Sequence, residues 1–453
     1  MVFQFKDGIL SHLFFIEYNG KSMSDLHHIV IVGGGVAGLE LATQLGDTFA
    51  KHKKAKITLV DQKLTHLWKP LLHEVAAGTM NAHDEETNYL AHSAKHHYEF
   101  VLGTFTKLDR EHKTIELQIK TPSKNENLSD RKTLHYDTLI LAIGSISNDF
   151  NTEGVKQYCH FLDSRNQADV FHQDILQYYL DAQQSTDVET PQELHIGIIG
   201  AGATGVELAA ELVQTKTNFH QYGLNKIHPQ NVKITLIEGA ERILPALSET
   251  IAENTMKQLK RMKIEVLTAC RVKKVDENFI YINDDQKIPA QLKVWAAGIK
   301  TPDVIANLAD FPKDRMGRIE VYATLQSKLD PNIFVLGDCA HCVLDAKEPP
   351  LGPRAQVASQ QASFMVDAIS ARLNGSKQPM FKFSDKGSLV SLSKNKAVGE
   401  MMGQVHVQGF IAKSMYVSLY RMHQATIYGY THAGLLTAKD FVTRKIAPKI
   451  KLH

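Results

Sequence analysis

The chain has 453 residues, and at roughly 150 residues per domain that length allows about three domain-sized units. Apolar residues make up 43% and charged residues 22%, which excludes a disordered chain, a collagen-like fibre and a coiled coil. A formal net charge of only +2 offers no basic field for nucleic acid, and 4 cysteines exclude a disulfide scaffold.

Residues 1–26 read as an N-terminal extension without regular structure, and no signal-peptide cleavage site is clear. Residues 28–32 are a β-branched run, as expected of a strand buried on both faces of a parallel sheet. They run directly into a G-x-G-x-x-G motif, Gly33, Gly35 and Gly38, followed by a helical pattern. Gly33 allows the tight turn, Gly35 lets the backbone approach a pyrophosphate, and Gly38 lets helix and strand pack closely. A second strand, residues 55–60, ends at Asp61, a carboxylate able to accept from ribose hydroxyls. The histidines His92, His96 and His97 fall in a polar stretch and read as surface residues.

The strand pattern of residues 136–145 ends in a small-residue turn at Gly144. A second complete fingerprint follows: a strand over 194–199, then Gly200, Gly202 and Gly205, a helix carrying Glu207 and Glu211, and a strand ending at Glu238. A carboxylate at Glu238 suits a free 2′-hydroxyl and repels a 2′-phosphate, which favours NADH over NADPH. Residues 294–298 repeat the strand-and-turn pattern and end at Gly298, and residues 333–338 end in Gly337 and Asp338. Two fingerprints imply two dinucleotides or a duplication with one dead site; the order of motifs describes one nucleotide-binding domain interrupted by another. Cys339, His341 and Cys342 lack a further ligand at suitable spacing, so no metal site is expected.

In the C-terminal segment, Ile411, Met415, Leu419 and Met422 fall on one helical stripe, with Lys413, Arg421 and Gln424 opposite. Leu435, Ala438, Val442 and Ile446 make a second stripe. Residues 439–453 hold five cations against Asp440, a pattern suited to an anionic membrane surface or, alternatively, to a helix pair packed on the protein or a second subunit. No apolar run approaches the roughly 18 residues of a membrane span.

These motifs together resemble the two-dinucleotide-binding-domain flavoproteins. Three segments are similar to the type II, non-proton-pumping NADH:quinone oxidoreductases: residues 67–78, which include Lys69 and Pro70; residues 202–212, the helix with Glu207; and residues 355–361, which match A-Q-x-A-x-Q-Q with Gln356 and Gln360. Two departures stand out: Ile143 replaces the usual Thr of the flavin-side turn, and the C-terminus is shorter and more polar than is common in that family.

The resemblance implies an α/β fold of two Rossmann-like domains, with an FAD domain (27–150 and 308–384) interrupted by an NADH domain (151–307). A helical, amphipathic segment (385–453) would then serve membrane association or dimerisation. It implies FAD at the first fingerprint, NADH as substrate at the second, and Asp338 at the ribityl chain of the flavin. Within that frame Glu207 is expected to relay a proton or face the quinone. Gln356 and Gln360, four apart on one helix face, are expected to bond quinone carbonyls. Lys69 is expected to set a cation beside negative charge on the reduced flavin. The activity implied is FAD-dependent NADH oxidation with two-electron reduction of a membrane quinone, by a peripheral enzyme on the cytoplasmic face of the plasma membrane, for which a homodimer is one expected form. A sulfide:quinone oxidoreductase is the alternative, which would need well-placed cysteines; a non-catalytic nucleotide sensor is another.

Overall fold

The computed structural model describes residues 26–119, 130–185, 193–283, 286–393, 396–401 and 405–443. The extension expected over 1–26 therefore falls, but for Leu26, outside the described residues, as do Ile446 and the cations Arg444, Lys445, Lys449 and Lys451.

Two five-stranded parallel sheets carry the fold. In the first, the strands run in the order Ile333–Val335, Thr138–Leu141, His27–Val32, Ala55–Asp61, Glu99–Leu102. In the second they run His160–Phe161, Leu292–Trp295, Leu194–Ile199, Val232–Ile237, Glu265–Leu267. Each sheet thus sets its fingerprint strand at the centre, where a continuous apolar run is buried on both faces. The strand Ile333–Val335 crosses back to the first sheet after the second is complete, which makes the first unit discontinuous in sequence. Three-stranded antiparallel sheets supplement each unit, over Thr104–Asp109, Thr114–Ile119 and Asp130–His135, and over Val272–Val275, Phe279–Ile282 and Gln286–Pro289.

The C-terminal segment differs from the helical reading in its first third. Ser388–Ser393, Lys396–Met401 and Val405–Gln408 form an antiparallel sheet before the helices Gly409–Tyr428 and Tyr430–Thr443 begin. Val390, Leu392 and Val398 from this sheet join the core of the second unit, while Ile427 from the long helix joins the core of the first. The segment therefore straps the two nucleotide units together.

The long helix is turned inside out relative to an ordinary surface helix. Ala412, Tyr416, Tyr420, His423, Gln424 and Ile427 are buried, whereas Phe410, Ile411, Leu419 and Met422 are exposed, Phe410 to 75%. Lys413, Arg421 and Gln424 lie on the side turned to the protein, opposite the apolar stripe, as the pattern implies. Leu435 and Val442 of the next helix are exposed as well. Among the described residues no helix is long and apolar enough to cross a membrane.

The surface reading of the histidine cluster is corrected. His92 and His96 are buried with their rings stacked at 4.4 Å, and only His97 is exposed. His92 Nε2–H donates to the Ile427 carbonyl at 2.8 Å, and Nδ1 bonds the Tyr98 hydroxyl. A polar stretch is buried here because a later helix, invisible to local sequence, brings a partner for its ring nitrogen.

Candidate functional site

The two fingerprints fold into the same loop. Gly33 N donates to Val60 O at 2.8 Å and Gly200 N to Ile237 O at 2.7 Å. Both first glycines take φ of +104°, and a Cβ on either would strike the backbone of the neighbouring strand end. A Cβ at Gly38 would sit 1.8 Å from Gly33 O, and one at Gly205 1.9 Å from Gly200 O. The middle glycines do the opposite: a Cβ at Gly35 or Gly202 meets nothing within 4 Å. Each loop opens a helix, Val36–Leu45 or Ala203–Gln221, and no side chain caps either N-terminus. The first amides of each helix thus face open space, with the positive end of the helix dipole behind them. These residues fit a pyrophosphate at each loop.

The two acids are placed alike. Asp61 accepts from Gly34 N at 2.7 Å and Lys63 N at 2.8 Å; Glu238 accepts from Ala201 N at 2.7 Å and Ala240 N at 2.9 Å. Each carboxylate stands at the end of its second strand beside the fingerprint. Burial pushes the Asp61 carboxyl up from its usual range, opposed by those amide donors. On the far side of the first loop, Ser145 Oγ donates to Asp338 at 2.7 Å, which joins the Gly144 turn to the last strand of the sheet. Gly144 has φ of +78° and open space where its Cβ would be, whereas a Cβ at Gly298 would strike the ring of Phe150. Lys69 Nζ donates to Ser145 O at 3.0 Å and pairs with Asp163 at 3.3 Å, so it bridges the first unit to the start of the second.

Glu207 lies in the second fingerprint helix yet faces away from the nucleotide loop, toward the C-terminal strap. It is buried, and Ser391 N donates to its Oε1 at 2.9 Å. His73 Nδ1 lies 3.5 Å from its Oε2. Lys413 reaches in from the long helix, 2.7 Å from Ser391 Oγ and 3.6 Å from Glu74. Burial pushes the Glu207 carboxyl up to about 8, and the Ser391 amide and Lys413 only partly offset this. Burial also pushes His73 down to about 4. At neutral pH the pair is therefore a protonated carboxyl beside a neutral imidazole. Buried Nε2 of His73 has no hydrogen-bond partner among the described residues.

Gln356 and Gln360 do share a helix face, and both amides are engaged. Gln356 donates to Asp385 and to Gly387 O and accepts from Lys386 N; Gln360 donates to Ser384 O and accepts from Ser384 N. They clasp residues 384–387, the approach to the strand that presents Ser391 to Glu207. The neighbouring Gln361 accepts from Gly337 N at 2.7 Å and fixes the turn before Asp338.

Residue-by-residue reading overlooked His73, Glu74, Ser391 and Lys413. His73 and Glu74 were visible within residues 67–78, and Lys413 on the polar side of its helix. What local sequence does not carry is that three distant segments meet at Glu207. Cys339 and Cys342 are buried free thiols, each pushed up to about 11 by burial, which disfavours the thiolate that redox exchange needs.

The pyridine nucleotide-disulphide oxidoreductase family matches residues 27–362. A type II NADH:quinone oxidoreductase from Haemophilus influenzae is 38% identical over 445 residues, 94% of this chain and 100% of that protein. One from Staphylococcus aureus is 29% identical over 84% of this chain and 91% of its own. Among solved structures, NDH2 from Plasmodium falciparum in complex with NADH is similar with a TM-score of 0.79 at 21% identity, covering 94% of this chain and 100% of that one. The sulfide:quinone oxidoreductase from Aquifex aeolicus is similar with a TM-score of 0.69 at 17% identity, covering 93% and 96%.

Proposed function

The chain belongs to the type II NADH:quinone oxidoreductases within the pyridine nucleotide-disulphide oxidoreductase family, and from that premise we propose how its residues divide the work. The protein is an FAD-dependent enzyme that oxidises NADH and reduces quinone. Bound FAD supplies the electron-carrying chemistry between a hydride donor and a two-electron acceptor.

Gly33, Gly35, Gly38 and Asp61 hold the FAD pyrophosphate and ribose, while Gly144 and Asp338 border its ribityl chain. Gly200, Gly202, Gly205 and Glu238 hold NADH, and Gly298 shapes the turn beside it. Support for this division comes from the matching loop geometry and from the strand that returns to the first unit. Glu207 holds a proton at neutral pH and delivers it on the quinone side, and Lys413 and Glu74 link it toward the surface. Its burial and its raised carboxyl carry this reading. Gln356 and Gln360 act on the same side: Gln356, with both amide hydrogens held by Asp385 and Gly387, is the clasp that positions the Ser391 strand, and Gln360, which gives one hydrogen to Ser384 O, keeps the other for a quinone carbonyl. Lys69 stabilises negative charge near the Gly144 turn. We set the domain limits at 27–150 with 308–384, at 151–307 and at 385–453, a division supported by the two separate parallel sheets.

The inverted long helix favours a lipid surface. Ile411 is 66% exposed and Leu435 71%, on the two consecutive helices that precede the cationic tail. Such a face suits peripheral attachment to an anionic membrane, on the cytoplasmic side where NADH is available. A homodimer burying the same face is the competing outcome, and sedimentation without detergent distinguishes it.

One anaerobic titration tests the central reading. NADH should bleach the flavin and a soluble quinone should restore it, while sulfide should leave the spectrum unchanged. Bleaching by sulfide and not by NADH would overturn it.

A further inference from the structure

A second buried polar chain, remote from Glu207, runs from the quinone-motif helix to the FAD loop. Ser359, on the helix Ala355–Leu373, donates from Oγ to Glu40 Oε2 at 2.6 Å. Glu40, on the first fingerprint helix, faces His423 Nδ1 at 2.7 Å. His423, on the long C-terminal helix, meets His66 Nε2 through its own Nε2 at 3.0 Å. His66 Nδ1 ends the chain at Gly34 O, 2.9 Å away. Glu40, His66 and His423 are all buried, and Trp68 stacks over His423 at 6.0 Å.

The direction of these bonds follows from what each atom can do. A carbonyl accepts only, so His66 Nδ1 carries the hydrogen that goes to Gly34. Burial keeps His66 neutral, pushing it down to about 3, so its Nε2 is an acceptor. His423 Nε2 must then be the donor, and one proton lies between His423 Nδ1 and Glu40. His423 therefore has a partner on both ring nitrogens, and its side chain is buried.

The receiving atom is the informative one. Gly34 O accepts from His66 and also from Tyr89 Oη at 2.5 Å. The peptide joining Gly34 to Gly35 is rigid and planar, so its C=O and N–H point in opposite directions. Holding Gly34 O from behind turns Gly35 N–H to the opposite side, and Gly35 itself is exposed, with nothing within 4 Å of where its Cβ would sit.

We propose that His423 is a positioning residue that links seating of the long C-terminal helix to the FAD pyrophosphate loop, so that helix docking and FAD retention reinforce each other. The helix that bears the exposed apolar face is thereby the one that aims a phosphate-binding amide. By linkage, whatever stabilises the seated helix strengthens FAD binding, and loss of FAD loosens the helix by the same factor.

The test uses the holoenzyme and reads FAD release by flavin fluorescence, with and without vesicles of phosphatidylethanolamine and phosphatidylglycerol. Tyr89→Phe removes the other bond to Gly34 O without touching the helix. His423→Ala should release FAD at least tenfold faster than wild type, and vesicles should slow release in wild type and in Tyr89→Phe but not in His423→Ala. His423→Gln keeps one donor and one acceptor and should recover part of the loss. NADH binding to the second unit reports an intact fold; if His423→Ala loses it, the His423→Gln comparison decides instead. Release rates equal to wild type in both His423 variants overturn the proposal. The vesicle arm alone rests on the membrane reading: a wild type that fails to co-sediment with vesicles sinks that reading, while the release rates still decide the linkage.

Discussion

The two nucleotide units share a strand order, a glycine geometry and an acid-to-amide pattern, yet they differ in what the rest of the chain lays against them. The first loop is backed by His66 and Tyr89, and through His66 by the C-terminal helix. In the second loop the matching carbonyl, Ala201 O, accepts at 2.8 Å from the backbone amide of Leu244 in the same unit, and the helix of that loop instead offers the buried Glu207 to the C-terminal strands. Under the proposed division of the cofactors, the loop tied to the C-terminal helix is the one that retains its nucleotide, and the loop backed only from within its own unit is the one that exchanges it. Duplicated scaffolds thus acquire distinct duties from the third layer, not from their own fingerprints.

The largest effect that can break this comparison comes from the third glycines. Gly38→Ala and Gly205→Ala each force a methyl to within 2 Å of a loop carbonyl. Gly38→Ala should yield a colourless protein. Gly205→Ala should stay yellow but be reduced by NADH at least about a hundredfold less efficiently, a loss of roughly 3 kcal/mol or more. Absorbance and stopped-flow flavin reduction measure the pair; equal loss of flavin in both would show that the loops do not divide the cofactors as proposed.

The contrast also shows what sequence could convey. Both fingerprints, both acids and the returning strand were legible because each is a local pattern tied to a strand end. The sheet of residues 388–408 was not: its strands are short, its register shifts between Ser391 and Ser393, and its ladder joins these three strands to one another and to neither nucleotide sheet. The stripe of Ile411, Met415, Leu419 and Met422 was legible as a stripe, but periodicity does not say which face is inward. Burial of the opposite, polar face depends on Glu40, Glu74 and Glu85, which arrive from the first hundred residues.

The next effect sharpens the role of Glu207. Glu207→Gln keeps the shape and removes the transferable proton. Flavin reduction by NADH should stay within about twofold, and reoxidation by quinone should slow roughly a hundredfold, the lower end for a lost acid–base group. A second readout is stability. The folded Glu207 holds its proton up to about pH 8, whereas the unfolded chain releases it in the ordinary carboxylate range. Folding is therefore favoured at low pH and loses stability as pH rises through that window, at up to roughly 1.4 kcal/mol per unit. His73 acts oppositely, gaining stability from about pH 4 to its ordinary value near 6.5. Between about pH 6.5 and 8 the Glu207 contribution of the pair acts alone, so urea midpoints should fall with pH in wild type and stay flat in Glu207→Gln.

A smaller effect concerns nucleotide choice. Glu238→Ser removes the charge that opposes a 2′-phosphate but leaves a group able to bond the loop. The ratio of kcat/KM for NADH over NADPH should fall about tenfold or more, with flavin content unchanged. An unchanged ratio would show that Glu238 serves the loop amides alone.

The smallest expected effect belongs to Lys69, where two readings predict opposite patterns. Its side chain is 46% exposed, so its pairing with Asp163 contributes at most about 1 kcal/mol to stability. Lys69→Met keeps the aliphatic stem and should leave the melting temperature nearly unchanged. Its Nζ, however, is anchored on the carbonyl of Ser145, whose hydroxyl holds Asp338 at the Gly144 turn. A cation fixed there lowers the energy of negative charge accumulating beside that turn. Removing it should shift the flavin midpoint potential by about 15–30 mV to more negative values, since 30 mV corresponds to roughly 1.4 kcal/mol for two electrons. Flavin reduction by NADH should slow only a few-fold, and high salt should mask part of the difference because the site is open to solvent. An unchanged potential together with a lowered melting temperature would make Lys69 a strut between the two nucleotide units and nothing more.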